Sequence, residues 1–352
     1  MPCLSRLFSC ALALLLTAPA FQVQAADTQR HYPITLNNCG TQVRIESPPQ
    51  RVVSIGQNTT EILLSLDLAD RMAASAVWIG EVPEALKAVN ARVPRLSSGI
   101  PGLESVLGQK PDLVAAQFET DVGPQGRIAS REQFAALGVP TYLSPTDCVG
   151  RFRDESTNPD GARTRAFDMS LVYREIRELA EIFNVPERGV DLVDSLRARE
   201  ARAAAAGAGL PEDLSMVWWF SSAELSGDAW VAGELGAPGY IMKKLGAHNI
   251  IKSPEEWPAV SWERIAASDP DVIVLGKMTR RNFPADDVAQ KINFLEHDPV
   301  TREMSAVKHH RFIMLDAQAM NPTLRTVTGL ETVADGLRRL GLTGQRTPDE
   351  AP

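Results

Sequence analysis

The sequence lacks the short motifs that mark common enzyme classes. It contains no G-x-S-x-G elbow, no H-E-x-x-H pair, no P-loop and no G-x-G-x-x-G after a strand. Adjacent carboxylates, such as Asp286 and Asp287 or Glu255 and Glu256, fall in polar stretches typical of solvated loops. These absences predict a protein without catalytic residues or a resident cofactor. An exported enzyme remains an alternative.

Histidine is also scarce, and this limits metal chemistry. None of the histidines follows a predicted strand end. His309 and His310 are neighbours in sequence, and the side chains of neighbours point to opposite sides of an extended chain. We therefore predict no site for a free metal ion, and zinc or manganese binding is the less favoured alternative. The five histidines are His31, His248, His297, His309 and His310.

Positive charge is in deficit. The formal net charge is −8 at pH 7, and a negative protein repels the phosphates of nucleic acids and anionic lipids. We expect neither as a partner. The length of 352 residues exceeds that of one typical core, so two domains are expected.

Long apolar runs are confined to the N-terminus. Arg6 precedes the apolar run Leu7–Ala18, which is shorter than the roughly 20 residues that a membrane-spanning helix needs. Val23 and Ala25 occupy the positions that a signal peptidase reads. This pattern predicts a cleavable signal peptide over residues 1–25 and a mature periplasmic protein. An N-terminal anchor helix is the alternative.

Cysteine is rare, and two of the four residues lie in the predicted signal peptide. Cys39 and Cys148 remain, neither in a C-x-x-C pair nor near a histidine. An even pair in an oxidising compartment favours a structural disulfide. Two separate buried thiols are the alternative.

What the chain does have is a succession of continuous apolar runs with amphipathic segments between them. Continuous apolarity is typical of strands buried on both faces, as in parallel sheets. The alternation predicts an α/β architecture, with Thr59 or Thr60 capping the helix after the first run. The runs are Arg51–Gly56, Arg71–Val77, Asp112–Gln117, Pro140–Pro145, Leu214–Phe220, Asp271–Gly276 and Arg311–Asp316.

A long stretch without strands divides the runs into two sets. It contains two predicted helices, Met169–Phe183 and Pro186–Ala206, and the second starts at a proline and ends before Gly207. A helix of about 20 residues spans roughly 30 Å and can bridge two domains; an ordinary surface helix is the alternative. We expect an N-terminal lobe (26–185), an interlobe helix (186–208), a C-terminal lobe (209–345) and a flexible tail (346–352).

An internal repeat indicates that the lobes are related. Leu103–Ala116 (LESVLGQKPDLVAA) matches Trp262–Leu275 (WERIAASDPDVIVL) at a constant offset. Each copy reads as a short helix that begins with a glutamate, a Pro-Asp turn, and a buried strand.

At these residues the chain resembles the class III periplasmic substrate-binding proteins of ABC importers, which take up iron–siderophore complexes and cobalamin. The resemblance covers about residues 32 to 341 and implies two α/β lobes, each with a mainly parallel sheet, joined by one long rigid helix. The matching stretches are PPQRVVSIGQNTTEILLSLDLADRM, LESVLGQKPDLVAA, EQFAALGVPTYLS, YIMKKLGAHNII and VSWERIAASDPDVIVLG.

The resemblance also implies partners in the inner membrane. One acidic residue on each lobe would contact basic pockets of the ABC permease subunits, and the matching positions are Glu104 and Glu263. Carboxylates suit arginine partners, although a glutamate at a helix start is also favoured by the helix dipole alone. We expect a monomer that docks through these two residues.

Ligands of open α/β sheets bind beyond the carboxyl ends of the strands. Aromatic walls with a few polar or cationic groups suit a large, flat ligand, and an arginine suits a negatively charged chelate. The strand-end candidates are Gln57, Asn58, Trp78, Phe118, Tyr142, Trp219, Trp230, Arg280, Arg281 and Gln318.

The sequence thus predicts the binding subunit of an importer, which captures a metal chelate, with an iron–siderophore first. Cobalamin, haem or another chelate in the same role, and a sensory module with the same fold, remain open.

Overall fold

A computed structural model of the chain describes residues 32–207, 209–211 and 213–342. The predicted signal peptide and C-terminal tail lie outside these residues. Within the described part, no helix combines the length and the apolar character needed to cross a membrane.

The N-terminal lobe alternates short strands and helices, as the continuous apolar runs predicted. Its main strands β3 and β6 are buried at every position, because helices cover both faces of the sheet. The elements are β1 (Ile34–Asn38), β2 (Thr41–Ile45), β3 (Val52–Ile55), α1 (Gln57–Ser65), β4 (Met72–Ala76), α2 (Glu84–Asn90), β5 (Arg95–Ser97), α3 (Leu103–Leu107), β6 (Leu113–Ala116), α4 (Glu119–Val122), α5 (Arg131–Ala136), β7 (Thr141–Leu143), α6 (Pro145–Cys148), β8 (Arg151–Phe152), β9 (Ala162–Arg163) and α7 (Ser170–Ile182).

The first five-stranded sheet has the order β5-β4-β3-β6-β7, with every pairing parallel. The carboxyl ends of its strands therefore meet at one edge. The β1–β2 hairpin, the short strand β5 and the small β8–β9 pair were not predicted, because none is a continuous apolar run.

The β1–β2 hairpin protects the open edge of this sheet at β7. The amide of Asn38 exchanges hydrogen bonds with the backbone of Leu143 (2.8 Å each), and the guanidinium of Arg131 joins Asn38 to Thr141. These contacts satisfy backbone groups that an edge strand otherwise leaves unpaired. The expected disulfide between Cys39 and Cys148 is present beside them.

Helix α8 (Pro186–Ala206) connects the two sheets in sequence and packs closely against α7. A Cβ at Gly189 would lie 2.6 Å from the Cβ of Ala180, so the glycine allows the helices to approach. The carboxylate of Glu200 accepts hydrogen bonds from the hydroxyls of Tyr173 and Tyr240. Glu200 therefore joins α8 to Tyr173, which precedes the helix in the chain, and to Tyr240, which follows it.

The C-terminal lobe contains a six-stranded sheet of order β13-β11-β10-β14-β15, with β12 beside β10. Strands β10, β12, β14 and β15 pair in parallel, whereas β11 and β13 form an antiparallel extension. The elements are β10 (Ser215–Ser221), β11 (Ala229–Val231), α9 (Ala237–Leu245), β12 (His248–Asn249), β13 (Ala259–Val260), α10 (Trp262–Ser268), β14 (Val272–Lys277), α11 (Val288–His297), α12 (Ser305–Lys308), β15 (Phe312–Asp316) and α13 (Thr326–Arg339).

This architecture confirms the predicted fold: two lobes, each with a mainly parallel sheet flanked by helices, and one long helix between them. The repeated segments form equivalent elements, α3–β6 in the first lobe and α10–β14 in the second. The repeated aspartate has the same role in both. Asp112 accepts from the backbone N–H of Arg51 (2.9 Å) before β3, and Asp271 accepts from that of Ser215 (2.9 Å) at the start of β10.

The predicted cap at Thr59 or Thr60 is wrong. Helix α1 begins at Gln57, and Thr60 lies inside it, with its hydroxyl bonded to the carbonyl of Gly56 (2.9 Å). The side chain of Gln117, at the end of the adjacent strand, accepts from the N–H of Asn58 (2.9 Å) instead. Gly56 adopts φ 112°, and a Cβ there would meet Gln117 at 2.2 Å, so only glycine fits this turn.

Loss of the disulfide should weaken the protein. The bond joins residues 109 positions apart, and closing a loop of this length restricts the unfolded chain by an amount that typically stabilises a protein by about 2–4 kcal/mol. We expect Cys39→Ala with Cys148→Ala to lower the free energy of unfolding by about that much in urea titrations. Reduced wild-type protein should match the variant, and an unchanged unfolding midpoint would contradict the expectation.

Candidate ligand-binding site

The carboxyl ends of both parallel sheets carry the residues that the sequence placed in a ligand site. The structure brings several of them together where loops of the two lobes meet, but it uses many of their polar atoms in contacts within the protein.

Gln57 is buried and its amide is fully engaged. Its Oε1 accepts from the N–H groups of Ile79 (3.1 Å) and Gly80 (2.9 Å), and its Nε2 donates to Glu61 (2.9 Å) and to the carbonyl of Glu81 (3.1 Å). Gln57 therefore fixes the loop after β4, and it has no amide hydrogen bond left for a ligand in this conformation.

Asn58 connects the two lobes. Its Nδ2 donates to Glu175 (3.1 Å), and its Oδ1 accepts from the backbone N–H of Leu324 (2.9 Å), which precedes α13. This side chain was predicted to touch ligand, and in the structure it holds a C-terminal-lobe loop against α1.

Glu175 is a fully buried carboxylate that organises this region. It accepts from Asn58, from the hydroxyl of Thr59 (3.1 Å) and from the hydroxyl of Ser144 (2.5 Å). Burial, with a smaller contribution from the nearby charge of Glu178, raises its pKa to about 7 against the effect of these hydrogen bonds.

Three of the predicted aromatic residues belong to the packed interior. Tyr142 is buried and donates its hydroxyl to Glu178 (2.8 Å), and Trp78 lies beneath the guanidinium of Arg95, 4.1 Å from the ring centroid. Trp219 has 0% exposure, with its ring centroid 4.5 Å from that of Trp262. A side chain without exposed surface cannot contact a ligand in this conformation, so placing Trp219 and Tyr142 on a cleft wall is corrected.

Two predicted aromatic residues stay accessible, and one of them, Trp230, has a partner that the sequence did not reveal. Phe118 and Trp230 are half-buried. The ring of Trp230 packs edge-on against Phe283, with centroids 5.1 Å apart, and Phe283 is 38% exposed. Phe283 was missed because it lies in a polar loop, seven residues beyond Gly276, where no strand pattern points to it.

The two predicted arginines are exposed, but their contacts differ. Arg280 donates to the backbone carbonyl of Ser98 in the N-terminal lobe (3.0 Å), so it reaches across from one lobe to the other. Arg281 pairs with Asp287 (2.5 Å) in its own lobe. Arg280 is therefore the better placed of the two for a ligand held between the lobes.

Gln318 lies in a short turn after β15 with only 1% exposure. Among the described residues, neither its amide nitrogen nor its amide oxygen has a hydrogen-bond partner. Such a group is costly to bury, and with both amide atoms buried Gln318 does not present them to a ligand in this conformation.

A buried ammonium ties together the carboxyl ends of β10 and β14. Lys291 donates to the backbone carbonyls of Trp219 (3.0 Å), Phe220 (2.6 Å) and Gly276 (2.9 Å). Burial lowers its pKa to about 7, an effect that the charge of Asp286 opposes. Lys291 fixes the strand ends from which the Arg280 loop departs.

A buried ion pair across the lobes was not predicted. Arg325, just before α13, contacts Glu61 of α1 through two guanidinium nitrogens and also reaches Asp316 (3.1 Å). Burial acts to lower the pKa of Arg325, but the hydrogen bonds and charge of Glu61 outweigh it and hold that pKa above its ordinary value. A second buried pair, Arg163 with Glu256, joins β9 to the loop before β13.

The residues implied in docking occupy equivalent positions. Glu104 and Glu263 are each the second residue of a short helix, α3 and α10, and both are exposed. In the described ranges, no group of three or more His, Cys, Asp or Glu side chains is arranged to hold a metal ion.

Comparison with known proteins identifies the family to which this fold belongs. A family model described as periplasmic binding protein matches residues 52–319, which include both sheets and the helix between them. The chain belongs to the periplasmic binding protein family. Members of this family are substrate-binding components of ABC importers.

Two curated relatives support the assignment of this binding protein. It is 24% identical over 310 residues to an uncharacterised ABC transporter substrate-binding lipoprotein, YvrC, of Bacillus subtilis, covering 87% of this chain and 86% of the relative. It is 27% identical over 233 residues to a vitamin B12-binding protein of Pectobacterium carotovorum, covering 65% and 71%.

The fold of this binding protein is also found in a solved structure. The structure of an ABC-type Fe3+-hydroxamate transport system from Saccharomonospora viridis superposes with a TM-score of 0.68 at 23% identity, over 87% of this chain and 99% of that one. At this level of identity the likeness concerns the fold.

The buried Glu175 predicts a pH dependence of stability. An unfolded glutamate ionises near its ordinary pKa of 4.5, whereas the folded one ionises near about 7. Between these values the folded protein keeps a proton that the unfolded chain has lost. The contribution of Glu175 to the free energy of unfolding is therefore greatest below pH 4.5 and is lost as the pH rises through 7.

Glu175→Gln should remove that dependence. The unfolding free energy of the variant minus that of wild type should rise by about 2–3 kcal/mol from pH 5 to pH 8. Urea titration at both pH values measures this difference. The exposed Glu187→Gln on α8 is the control and should follow wild type. An equal variant-to-wild-type difference at both pH values would contradict the assignment to Glu175.

Proposed function

We propose that this binding protein captures a metal chelate in the periplasm and delivers it to the permease of an ABC importer. The observation that carries the proposal is the accessible aromatic pair Trp230–Phe283, because Phe283 lies on the same loop as the interlobe arginine Arg280. Aromatic faces with an adjacent cation suit a large, partly flat ligand of negative charge. The half-buried Phe118 completes the proposed ligand site.

Membership of the family and the order of the lobes and the long helix along the chain support a transport role without catalysis. The proposal includes export by the signal peptide 1–25, a monomeric mature protein, and lobes bounded at 26–185 and 209–345 around the helix of 186–208. No covalent step is required, because the ligand is bound and released unchanged.

An iron–siderophore complex is our first candidate ligand, because Arg280 offers a cation to a negatively charged ferric chelate. A corrinoid is the second candidate, since the Pectobacterium carotovorum relative is named for vitamin B12. Haem is the third.

Calorimetric titration separates these candidates. We expect one probe among a ferric hydroxamate, a ferric catecholate, cyanocobalamin and haemin to bind with one-to-one stoichiometry and a Kd of about 1 μM or tighter, which corresponds to about −8 kcal/mol. Binding of none of the four to correctly folded protein would contradict the chelate proposal.

Arg280→Gln then tests the basis of recognition. If the ligand is anionic, the lost ion pair should weaken binding by about tenfold, and wild-type affinity should fall with added salt. The exposed Arg302→Gln in the same lobe should leave affinity unchanged. Tight binding that responds to neither Arg280→Gln nor salt would argue against the anionic chelate and for a neutral corrinoid.

Docking is a separate prediction. Glu104→Ala with Glu263→Ala should abolish uptake in cells that express the cognate permease, because the arginines of the permease would lose their carboxylate partners. Ligand affinity of the purified variant should stay within about twofold of wild type. Glu132→Ala with Glu303→Ala, which removes one exposed glutamate from each lobe, is the matched control. A collapse of affinity in the docking variant would instead place these residues in the ligand site.

A further inference from the structure

Arg325 makes polar contacts with more than one segment of the opposite lobe. It lies in the loop before α13, and its guanidinium contacts the carboxylate of Glu61 in α1 through two nitrogens. The same group donates to the carbonyl of Glu81 (2.6 Å), in the loop after β4. Its remaining nitrogen reaches Asp316 (3.1 Å), the last residue of β15.

The contact is buried from both sides. Glu61 has 1% exposure and Arg325 has 8%. Gln57 donates to the same carboxylate (2.9 Å) and holds the backbone of Ile79 and Gly80. The loop after β4 is thus connected through two side chains to the guanidinium of the other lobe.

The chain on either side of Arg325 adds to this connection. The backbone N–H of Leu324 donates to Asn58 (2.9 Å), one turn before Glu61 on α1. A Cβ placed on Gly80 would lie 3.3 Å from the Oδ2 of Asp316, so the end of β15 and the loop after β4 are in close approach.

Separating these partners would be unfavourable. A buried ion pair resists separation, because removal of one partner leaves the other charge without compensation in a poorly hydrated site. The contact at Arg280 is different: it is exposed, consists of one hydrogen bond to a carbonyl, and can be replaced by water. The pair at Arg325 is therefore a more persistent link between the lobes than the contact at Arg280.

We propose that Arg325 is a positioning residue that holds the carboxyl ends of β4 and β15 at a fixed separation and thereby sets the width of the cleft between the lobes. It acts as a non-covalent link in addition to helix α8. The Arg280 side of the cleft is the part that opens. This inference depends on the two-lobed fold and on no particular ligand.

Hydrogen exchange of the ligand-free protein tests the link, with small-angle X-ray scattering as a second readout. Arg325→Met should raise amide exchange at Leu324, Ile79 and Gly80 by about tenfold or more and increase the radius of gyration. Core amides of β3, β6 and β14 should exchange as in wild type. A merely structural role would instead raise exchange throughout both lobes.

Two further variants keep the test decisive. Arg325→Met leaves Glu61 buried without a counter-charge, so Glu61→Gln with Arg325→Met removes both charges and should fold while retaining the faster exchange at the three amides. Arg325→Lys keeps the charge without the two-pronged geometry and should give an intermediate increase. Arg338→Met, on helix α13, removes an exposed arginine paired within that helix to Asp335 and should match wild type.

The outcome that overturns the proposal is clear for the double variant. If Glu61→Gln with Arg325→Met shows wild-type exchange at Leu324, Ile79 and Gly80 and a wild-type radius of gyration, the pair does not set the separation of the lobes. Exchange that rises equally in the core strands would also overturn it, because the pair would then act on general stability.

Discussion

Buried carboxylates determine how the two lobes of this protein meet. An ionised carboxylate without partners is very costly to remove from water, so each one specifies which groups must come to it. Glu61 of α1 requires the guanidinium of Arg325, and Glu200 of α8 requires the hydroxyls of Tyr173 and Tyr240. These requirements act between elements far apart in sequence, and they fix an arrangement that apolar contacts alone would leave adjustable.

The same requirement explains why few strand-end polar groups are available to a ligand. The sheets bring Gln57 and Asn58 to the edge where ligands bind in α/β proteins, but both side chains are consumed in orienting neighbouring loops. Accessible aromatic surface remains at Phe118, Trp230 and Phe283. The accessible groups among the candidate residues are therefore aromatic and cationic, whereas the buried polar groups are engaged within the protein.

Much of the fold could be predicted because its signals are local. Continuous apolar runs identified β3, β6 and β14 to within one or two residues at each end, and the proline and glycine at its two ends delimited α8. The repeat was informative for a physical reason: Asp112 and Asp271 each hold the start of an adjacent strand, so the Pro-Asp turn recurs with the same role. Short edge strands such as β5 escaped prediction because they are paired on one side only and need no apolar run.

The candidate site was less predictable because orientation is not a local property. Trp218 and Trp219 are neighbours in β10 and point to opposite faces of the sheet, where each is buried in a different core cluster. Position at a strand end therefore did not make Trp219 a ligand contact. Phe283 is the opposite case: it does not lie at a strand end, yet its polar loop places it against the ring of Trp230.

The sequence by itself determined the α/β class, the two related halves, the helix between them and the pair of cysteines, because apolar periodicity, turn residues and residue counts are properties of short segments. Only the tertiary structure decided which side chains at the strand ends stay accessible, and that Arg325 pairs with Glu61 across 264 positions of sequence. Those outcomes depend on how segments that are distant in the chain satisfy one another's charge and hydrogen-bonding capacity, and no local pattern encodes that balance.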